Sequence, residues 1–407
     1  MKPSACKAIV LAFLLFAFSF AWASDWPQWR GPLGMGISLD RDLPLTWDGK
    51  TNENVLWKAP LPKCSESQSS PIVCKDRVFV MTAFAKPLEQ HVTCYQKKDG
   101  TQLWDTIVPP GPWILTDLRG GYCCSTPATD GERVIVVFGS ATMAALDYTG
   151  KIVWQKDILP RAFDVAISSS PILYRDSFIL LCDQTGGKSF LAAYDPKTGA
   201  EKWVAKRPQM SFNHSTPLLA LVNAKPQLII SAHEALQGVN PDNGEVVWWC
   251  AHKGDVPSPA IANGLVYCDE GRGNVGICVD ASGTGDVTKT HLKWKTAGGI
   301  NGFGSPLIVG EHIYRVSSTL RCWELATGKE LWSQRLGGDF NPSPFATPDG
   351  RIYFAGAGAS WVIRAGPKFE LLGKSDLGEP SSASAGVSDG CLFLKGQKNL
   401  FCVGTKR

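Results

Sequence analysis

The stretch from Ala193 to Trp203 reads Ala-Tyr-Asp-Pro-Lys-Thr-Gly-Ala-Glu-Lys-Trp, and it is the cleanest copy of a repeated motif. A small residue opens the motif, Asp and Thr-Gly follow at fixed offsets, and Trp ends it. The repeat returns a tryptophan at Trp104, Trp154, Trp203, Trp248, Trp294 and Trp332. Successive tryptophans lie 38 to 50 residues apart, near the period of about 40–50 residues that is typical of β-propeller blades.

A second repeated signal is a Ser-Pro or Thr-Pro step before a short apolar run. These steps are Ser70-Pro71, Thr126-Pro127, Ser170-Pro171, Thr216-Pro217, Ser258-Pro259, Ser305-Pro306 and Ser343-Pro344. A polar turn usually follows and leads into a β-rich strand, as Asp349-Gly350 does before Ile352-Tyr353-Phe354. Short strands with turns at regular spacing predict an all-β fold.

Together the two signals predict a single eight-bladed β-propeller of four-stranded blades. Seven blades begin near Ser69, Ser125, Ser169, Ser215, Ser258, Ser305 and Ser343, and the seventh has lost its Trp. The eighth, from Ser384 to Val403, is too short for four strands. We expect the strand from Val55 to Trp57 to pair with it, because a closed ring leaves no open sheet edge. Seven blades are the alternative.

The N-terminus predicts export. Lys2 and Lys7 flank the start of an uncharged apolar run, Ala8 to Ala21, and Ala21-Trp22-Ala23 is a small-x-small cleavage site. The predicted segments are a signal peptide at 1–23, an extension packed on the propeller at 24–53, and the propeller at 54–407. An uncleaved anchor is the alternative, but the run is shorter than the ~20 residues of a membrane span. We expect a mature chain without a transmembrane span, in the periplasm or outside the cell.

Composition limits the partners. The 407 residues carry a formal net charge of +4, which is too weak to favour nucleic acid or an anionic membrane. Gly and Pro number 41 and 27, as expected for a chain with many turns. We expect a monomer whose partner is an envelope protein or a small ligand.

The Trp-ended motif resembles the repeat of the pyrroloquinoline quinone (PQQ)-binding-like propellers, which include quinoprotein alcohol dehydrogenases and BamB, the propeller of the outer-membrane β-barrel assembly machinery. The resemblance spans Val55 to Val403. An exported bacterial subgroup is more similar still, since its members open with a segment like Asp25-Trp26-Pro27-Gln28-Trp29-Arg30-Gly31-Pro32 and carry stretches like Ser125 to Val134 and Gly285 to Thr288. The resemblance implies the fold, whereas one propeller fold hosts many functions.

Cys123-Cys124 is the strongest sign of an enzyme, because the resemblance implies an adjacent cysteine pair against the quinone. The calcium ligands of such enzymes, a Glu and an Asn, and their catalytic Asp match no motif here. PQQ with calcium is therefore the less favoured expectation, and structural thiols are favoured. No metal site is expected, since the sequence has neither Cys-x-x-Cys nor His-x-x-x-His.

Four other cysteines have a packing explanation. Cys94, Cys278, Cys322 and Cys402 occupy the first position of the Trp motif, where other copies have Ala or Gly. A buried thiol behaves as a small apolar group. We therefore expect these cysteines to pack inside the blades and not to form a regular disulfide framework.

Loops before the Ser/Thr-Pro steps should converge on the channel mouth, so their polar residues are candidate binding residues. These residues are Arg119, Tyr122, Asn213, His214, Asp255, Asn301 and Asn341. The competing hypothesis is that they satisfy backbone groups. Trp26 and Trp29 precede the ring and are expected to form a plug rather than a ligand-contacting lid. Gly271 to Gly276 matches a dinucleotide pattern, but no helix follows, and a glycine-rich turn is expected.

The sequence thus favours a non-catalytic binding or scaffold propeller of the cell envelope. One alternative is a PQQ- and calcium-dependent dehydrogenase of the quinoprotein type. The other is an outer-membrane protein assembly factor of the BamB type, against which the lack of a lipid-attachment cysteine near Ala23 counts.

Overall fold

A computed structural model describes residues 25–62, 67–159, 165–338, 340–356 and 359–405. Every regular element in these ranges is a β-strand. No helix among them is long and apolar enough to cross a membrane. The predicted signal peptide lies outside the described residues.

The first half of the chain forms β1 and four blades. β1 is Val55–Pro60. Blade 1 contains β2 (Ile72–Cys74), β3 (Arg77–Ala85), β4 (Leu88–Gln96) and β5 (Gln102–Ile107). Blade 2 contains β6 (Ala128–Thr129), β7 (Arg133–Phe138), β8 (Thr142–Asp147) and β9 (Ile152–Asp157). Blade 3 contains β10 (Ile172–Tyr174), β11 (Ser177–Cys182), β12 (Phe190–Tyr194) and β13 (Glu201–Lys206). Blade 4 contains β14 (Leu218–Val222), β15 (Lys225–Ser231), β16 (Ala235–Val239) and β17 (Val246–Ala251).

The second half forms the other four blades. Blade 5 contains β18 (Ala260–Ala262), β19 (Leu265–Cys268), β20 (Arg272–Asp280) and β22 (Leu292–Asn301). The short β21 (Gly285–Asp286) lies between β20 and β22 in the chain but pairs with blade 4. Blade 6 contains β23 (Leu307–Val309), β24 (His312–Arg315), β25 (Thr319–Glu324) and β26 (Glu330–Arg335). Blade 7 contains β27 (Phe345–Ala346), β28 (Arg351–Gly356), β29 (Ala359–Arg364) and β30 (Leu371–Asp376). Blade 8 contains β31 (Gly386–Ser388), β32 (Cys391–Lys395) and β33 (Asn399–Gly404).

Eight separate sheets confirm the predicted eight-bladed propeller. The four main strands of each sheet are antiparallel, and β1 joins blade 8 as its outermost strand by pairing antiparallel with β33. This pairing confirms the predicted ring closure and rules out seven blades. The sequence predicted this closure correctly because the C-terminal blade supplies only three strands and β1 carries the Trp of the missing outer strand.

The Trp motif holds neighbouring blades together. The indole nitrogens of Trp104, Trp154 and Trp294 donate to backbone carbonyls in the next blade's turn over 2.9 to 3.0 Å. The motif glycine of that next blade lies beneath the ring: Gly150 has a φ of 88°, and a Cβ there would come 2.7 Å from Trp104. Glycine is therefore required at this position for two reasons: the backbone is left-handed, and the indole approaches too closely for a side chain.

The four motif cysteines face the tryptophans across the outer strand pair. Cys94 pairs with Trp104, Cys278 with Trp294, and Cys322 with Trp332. Cys402 pairs with Trp57 in the same way. All four cysteines are buried, which confirms that they pack as small apolar residues beneath an indole.

Blade 7 lacks the motif Trp, as predicted, and Gly373 occupies its register position opposite Val362. The N-terminal extension compensates. The backbone N–H of Trp47 donates to Ser375 over 2.9 Å, and the indole is buried in one apolar cluster with residues of blades 7 and 8. The carbonyl oxygen of Leu45 lies 2.0 Å from where a Cβ on Gly373 would stand, so only glycine fits there.

Blade 4 departs from four strands. The insertion in the fifth Trp motif forms β21, which pairs in parallel with β17 and makes a five-stranded sheet. The blade's own Trp248 is fully buried and donates its indole N–H to Gln227 of the same blade over 2.9 Å. The indole of Trp248 therefore bonds within its own blade, unlike those of Trp104, Trp154 and Trp294, which bond to the next blade.

Candidate functional site

Eight hydroxyl residues form a closed circle of hydrogen bonds around the channel, here called the hydroxyl ring. Its members are Ser70, Thr126, Ser170, Thr216, Ser258, Ser305, Ser343 and Ser384, one from each blade. The backbone N–H of each member donates to the hydroxyl oxygen of the member in the next blade over 2.8 to 3.1 Å, and Ser384 closes the circle on Ser70. The Ser/Thr-Pro steps therefore join the blades at their inner ends.

The segment 25–38, here called the plug, lies against the innermost strands. Trp26 exchanges two backbone hydrogen bonds with Val73 of blade 1. The carbonyl of Pro27 accepts from Thr129 of blade 2, and the side chain of Gln28 accepts from Leu173 of blade 3. The plug also reaches blades 6 and 7, where Arg30 donates to the carbonyl of Pro306 and Ile37 bridges Ala346. These contacts join the segment to blades 1, 2, 3, 6 and 7.

Above the plug lies a cavity of about 650 Å³, here called the funnel. All eight members of the hydroxyl ring line it, and so does Trp29 of the plug. The other lining residues are Gln68, Asp117, Arg119, Gly120, Cys124, Val165, Ser168, Phe212, His214, His233, Lys253, Asp255, Val256, Glu270, Arg272, Phe303, Asn341, Pro342 and Ser382. Its volume lies in the range of small-molecule sites.

The charged side chains of the funnel are paired with one another. Arg119 forms a salt bridge with Asp117, and Arg272 with the buried Asp255. A third pair joins the ammonium of Lys253 to Glu270 over 3.4 Å. The funnel wall therefore carries balanced charge, with each carboxylate held beside a cation.

Aromatic rings accompany these ion pairs. Phe212 lies 5.4 Å from the imidazole of His233, and the guanidinium of Arg272 lies 5.3 Å from the centre of Phe303. Phe303 is 41% exposed, so part of its ring is open to solvent. Planar polar groups beside accessible rings suit a ligand with both apolar and hydrogen-bonding parts.

The structure brings five of the predicted site residues together in the funnel: Cys124, Arg119, His214, Asp255 and Asn341. Their origin in loops before the Ser/Thr-Pro steps explains this, because those loops meet at one end of the channel. Burial raises the pKa of the Cys124 thiol, whose sulfur lies 3.2 Å from the carbonyl oxygen of Gly120.

The structure places the other four predicted residues elsewhere. Cys123 is buried, and its carbonyl accepts from Gln68 and Ser69. Tyr122 accepts from the Leu115 backbone, and Asn213 from the Ser215 backbone. Asn301 is exposed at the end of β22 and does not line the funnel. For Tyr122 and Asn213 the competing hypothesis of backbone satisfaction describes the observed contacts.

Sequence reasoning missed Lys253, Glu270, Arg272 and Phe303. Arg272 falls in the segment expected to be a glycine-rich turn, and that expectation is wrong because β20 begins there. The signal that could have identified them is the set of charged and aromatic residues between β17 of blade 4 and β23 of blade 6. Their convergence depends on loop paths between blades, which no local motif encodes.

A quinone site with calcium does not fit the donor set of the funnel. The carboxylates of Asp117, Asp255 and Glu270 each face a cation, and the described ranges contain no cluster of three or more His, Cys, Asp or Glu side chains that could hold a metal ion. Calcium binding requires several oxygen ligands on one centre. Only Cys124 of the cysteine pair lines the funnel, since Cys123 is buried.

A second, smaller cavity is the apolar groove, which has a volume of about 240 Å³. The tip of the β3–β4 hairpin, Ala83 to Lys86, forms one wall, and Leu118, Gly121 and Tyr122 form the other. Ile114, in the loop that leads to Leu118, is 77% exposed. Exposed apolar side chains grouped in this way are typical of protein-binding surfaces.

The propeller repeat is matched by a known family model. The model described as outer membrane protein assembly factor BamB matches residues 88–334, more than half of the chain. The chain belongs to this family. A search of curated proteins found no match to this sequence.

Solved structures agree with the family. BamB from Moraxella catarrhalis matches at 13% identity and a TM-score of 0.61, over 86% of this chain and 97% of that one. A europium-containing methanol dehydrogenase matches at 11% identity and a TM-score of 0.68, over 91% and 89%. Quinohemoprotein alcohol dehydrogenase from Comamonas testosteroni matches at 13% identity and 0.57, over 94% and 81%. At these identities the likeness shows the propeller fold.

Proposed function

We propose that this chain is an exported, non-catalytic binding propeller of the cell envelope, which holds a ligand or a partner segment in the funnel. The funnel carries the proposal: it is a cavity of about 650 Å³ lined by all eight blades and by Trp29 of the plug. Export rests on the signal-peptide features of residues 1–23.

The chemistry of the funnel favours binding over catalysis. Each carboxylate is held in a salt bridge with a cation of the same wall, so its oxygens are already engaged by the protein. The residues instead offer hydroxyl, amide, guanidinium and aromatic groups to a ligand. Such groups fix the orientation of a ligand without reacting with it.

Capture from an envelope extract tests the proposal. Immobilised protein is incubated with the extract, washed, and analysed for retained small molecules and peptides by mass spectrometry. Asn341→Trp places a large side chain on an exposed funnel position, and it should abolish retention. Glu311→Trp alters an exposed turn after β23 that does not line the funnel, and it should leave retention intact. Equal retention by all three proteins would contradict a funnel site.

A role in outer-membrane protein assembly is the second candidate, and the apolar groove favours it together with the family description. The exposed Leu118 gives an apolar partner segment a surface to cover. Pull-down from envelope extract should then recover barrel-assembly components, and Leu118→Glu should lose them. Recovery of none by the unmodified protein would exclude this candidate and leave the funnel proposal standing.

A further inference from the structure

The plug buries a positive charge that no acidic side chain of the described residues pairs with. Arg30 is 3% exposed. Its Nη2 donates to the carbonyl oxygens of Pro306 and Met35 over 2.7 and 3.1 Å, while Nε and Nη1 have no partner among the described protein atoms. Buried charges are normally paired and buried N–H groups hydrogen-bonded. The site therefore lacks a negative charge and two acceptors.

The neighbouring arginine does not supply this charge. Arg315 is fully buried and forms a two-point salt bridge with Asp269 over 2.8 and 3.0 Å. Its own charge is thereby balanced, yet it still repels Arg30. Burial and this repulsion lower the pKa of Arg30 to about 9, so the guanidinium stays charged at neutral pH.

Arg30 lies beside the backbone that follows two adjacent ring members, Ser305 and Ser343, whose part of the funnel is here called the neck. The carbonyl that it binds belongs to Pro306, which follows Ser305 of the hydroxyl ring. A Cβ on Gly36 would come within 3.0 Å of its Nε and Nη2 and 2.9 Å of the carbonyl of Pro344, which follows Ser343. The guanidinium also faces the ring of Trp29 at 5.5 Å. The charge is thus set behind two adjacent ring members and the plug's Trp29.

The hydroxyl ring presents donors at the same place. Each ring oxygen accepts a backbone N–H from the preceding blade, and none of the eight hydroxyls donates to another group in the part of the chain that is described. A hydroxyl carries one donor as well as its acceptor sites. Both Ser305 and Ser343 line the funnel, so their O–H groups are available to donate to a ligand there.

We propose that the neck of the funnel, where Ser305 and Ser343 lie in front of Arg30, is an anion subsite that receives the carboxylate or phosphate group of the ligand. The two hydroxyls donate to its oxygens, and Arg30 stabilises it by charge through a low-dielectric layer, where such an interaction is stronger than in water. Asn341, which also lines the funnel, adds an amide. This inference rests on the proposed function, since it names the group by which the funnel recognises its ligand.

Titration with simple anions tests the subsite. Inorganic phosphate and acetate are titrated separately at constant ionic strength, with chloride as the reference, and binding is followed by calorimetry and by the midpoint of thermal unfolding. We expect at least one of the two to bind saturably and to raise the midpoint, as any ligand specific to the folded state does. The arm that responds identifies phosphate or carboxylate as the preferred group.

Matched variants place the site. Ser305→Ala removes one ring hydroxyl. Ser169→Ala removes a buried hydroxyl beside the ring that does not line the funnel and has no hydrogen-bond partner among the described residues. We expect each of the two variants to weaken binding about tenfold, since Ser305→Ala removes a hydrogen bond to the anion and Arg30→Gln removes the nearby positive charge. Arg30→Lys should keep part of the affinity, and Ser169→Ala all of it.

Three results would overturn the subsite: no saturable binding of either anion to the folded protein, full binding by both Ser305→Ala and Arg30→Gln, or equal loss in Ser305→Ala and Ser169→Ala. Should an Arg30 variant fail to fold, the serine pair decides alone. Retention of an envelope ligand that Asn341→Trp abolishes, without phosphate or acetate binding, would refute the anion subsite and uphold the proposed function.

Discussion

The indole nitrogen of Trp57 donates a hydrogen bond to the backbone carbonyl of Lys97 over 2.9 Å. Trp57 lies on β1, the outermost strand of blade 8, and Lys97 lies in the turn between β4 and β5 of blade 1. The contact is therefore the last of the blade-to-blade tryptophan contacts and joins the two ends of the ring. A Cβ on Gly100 would come 2.6 Å from the same indole.

Trp57→Ala should lower the free energy of unfolding by about 3–5 kcal/mol, because it removes a buried indole at the ring closure. Trp57→Phe keeps an aromatic ring but leaves the Lys97 carbonyl without its indole donor. This lost hydrogen bond should lower the free energy of unfolding by about 1 kcal/mol, in addition to the effect of the smaller ring. Urea unfolding followed by circular dichroism measures both. Trp249→Ala is the control, since Trp249 is 37% exposed on β17. Equal losses at Trp57 and Trp249 would contradict the closure.

Gly150→Ala should destabilise the protein more than Gly264→Ala. Both glycines have left-handed backbone, with φ of 88° and 76°, so each alanine costs about 1 kcal/mol of backbone strain. A Cβ at Gly150 would also overlap Trp104 at 2.7 Å, whereas a Cβ at Gly264 meets nothing within 4 Å. The difference between the two unfolding free energies isolates the indole contact. A difference near zero would mean that Gly150 serves the turn alone.

Stability should fall between about pH 6.5 and pH 4 through His252. Burial lowers the pKa of His252 to about 4, and its Nε2 has no partner in the described protein. The unfolded chain therefore takes up this proton first as the pH falls, at a cost of up to about 3 kcal/mol. The slope of unfolding free energy against pH should be shallower in His252→Gln. Identical slopes would show that His252 keeps its ordinary pKa.

PQQ added with Ca²⁺ should produce neither a saturable absorbance change nor dye reduction. The funnel carboxylates are engaged by Arg119, Lys253 and Arg272, which compete with calcium for them. Calorimetry with Ca²⁺ alone provides the control for metal binding without the quinone. Saturable uptake with turnover would reverse the preference for a binding protein.

The ring of blades could be predicted from sequence because each blade repeats its Trp motif and its Ser/Thr-Pro step. The strand Val55 to Trp57 was recognised as the closing strand for the same reason. The hydroxyl ring was not predicted, although its residues had been identified in the sequence. Each of its hydrogen bonds joins residues of neighbouring blades, and a local motif does not show such a contact. Trp47 was missed as well, since its partner position in blade 7 is Gly373, which matches no motif.

The candidate site was predicted only in part, because the sequence shows which loops meet at the funnel but not which way their side chains point. Loop position identified His214 and Asp255, but the direction of each side chain decides whether it lines the funnel. Asn213 turns inward to the backbone of Ser215, whereas the next residue, His214, faces the cavity. A change of one residue along a loop reverses that direction, so spacing alone does not separate binding residues from structural ones.

A crystal structure of the protein carrying the material that it retains from an envelope extract tests the funnel proposal most directly. We predict electron density above Trp29, with an acidic group at Ser305 and Ser343. Density confined to the apolar groove or to the outer blade edges, with only solvent in the funnel, would contradict the account.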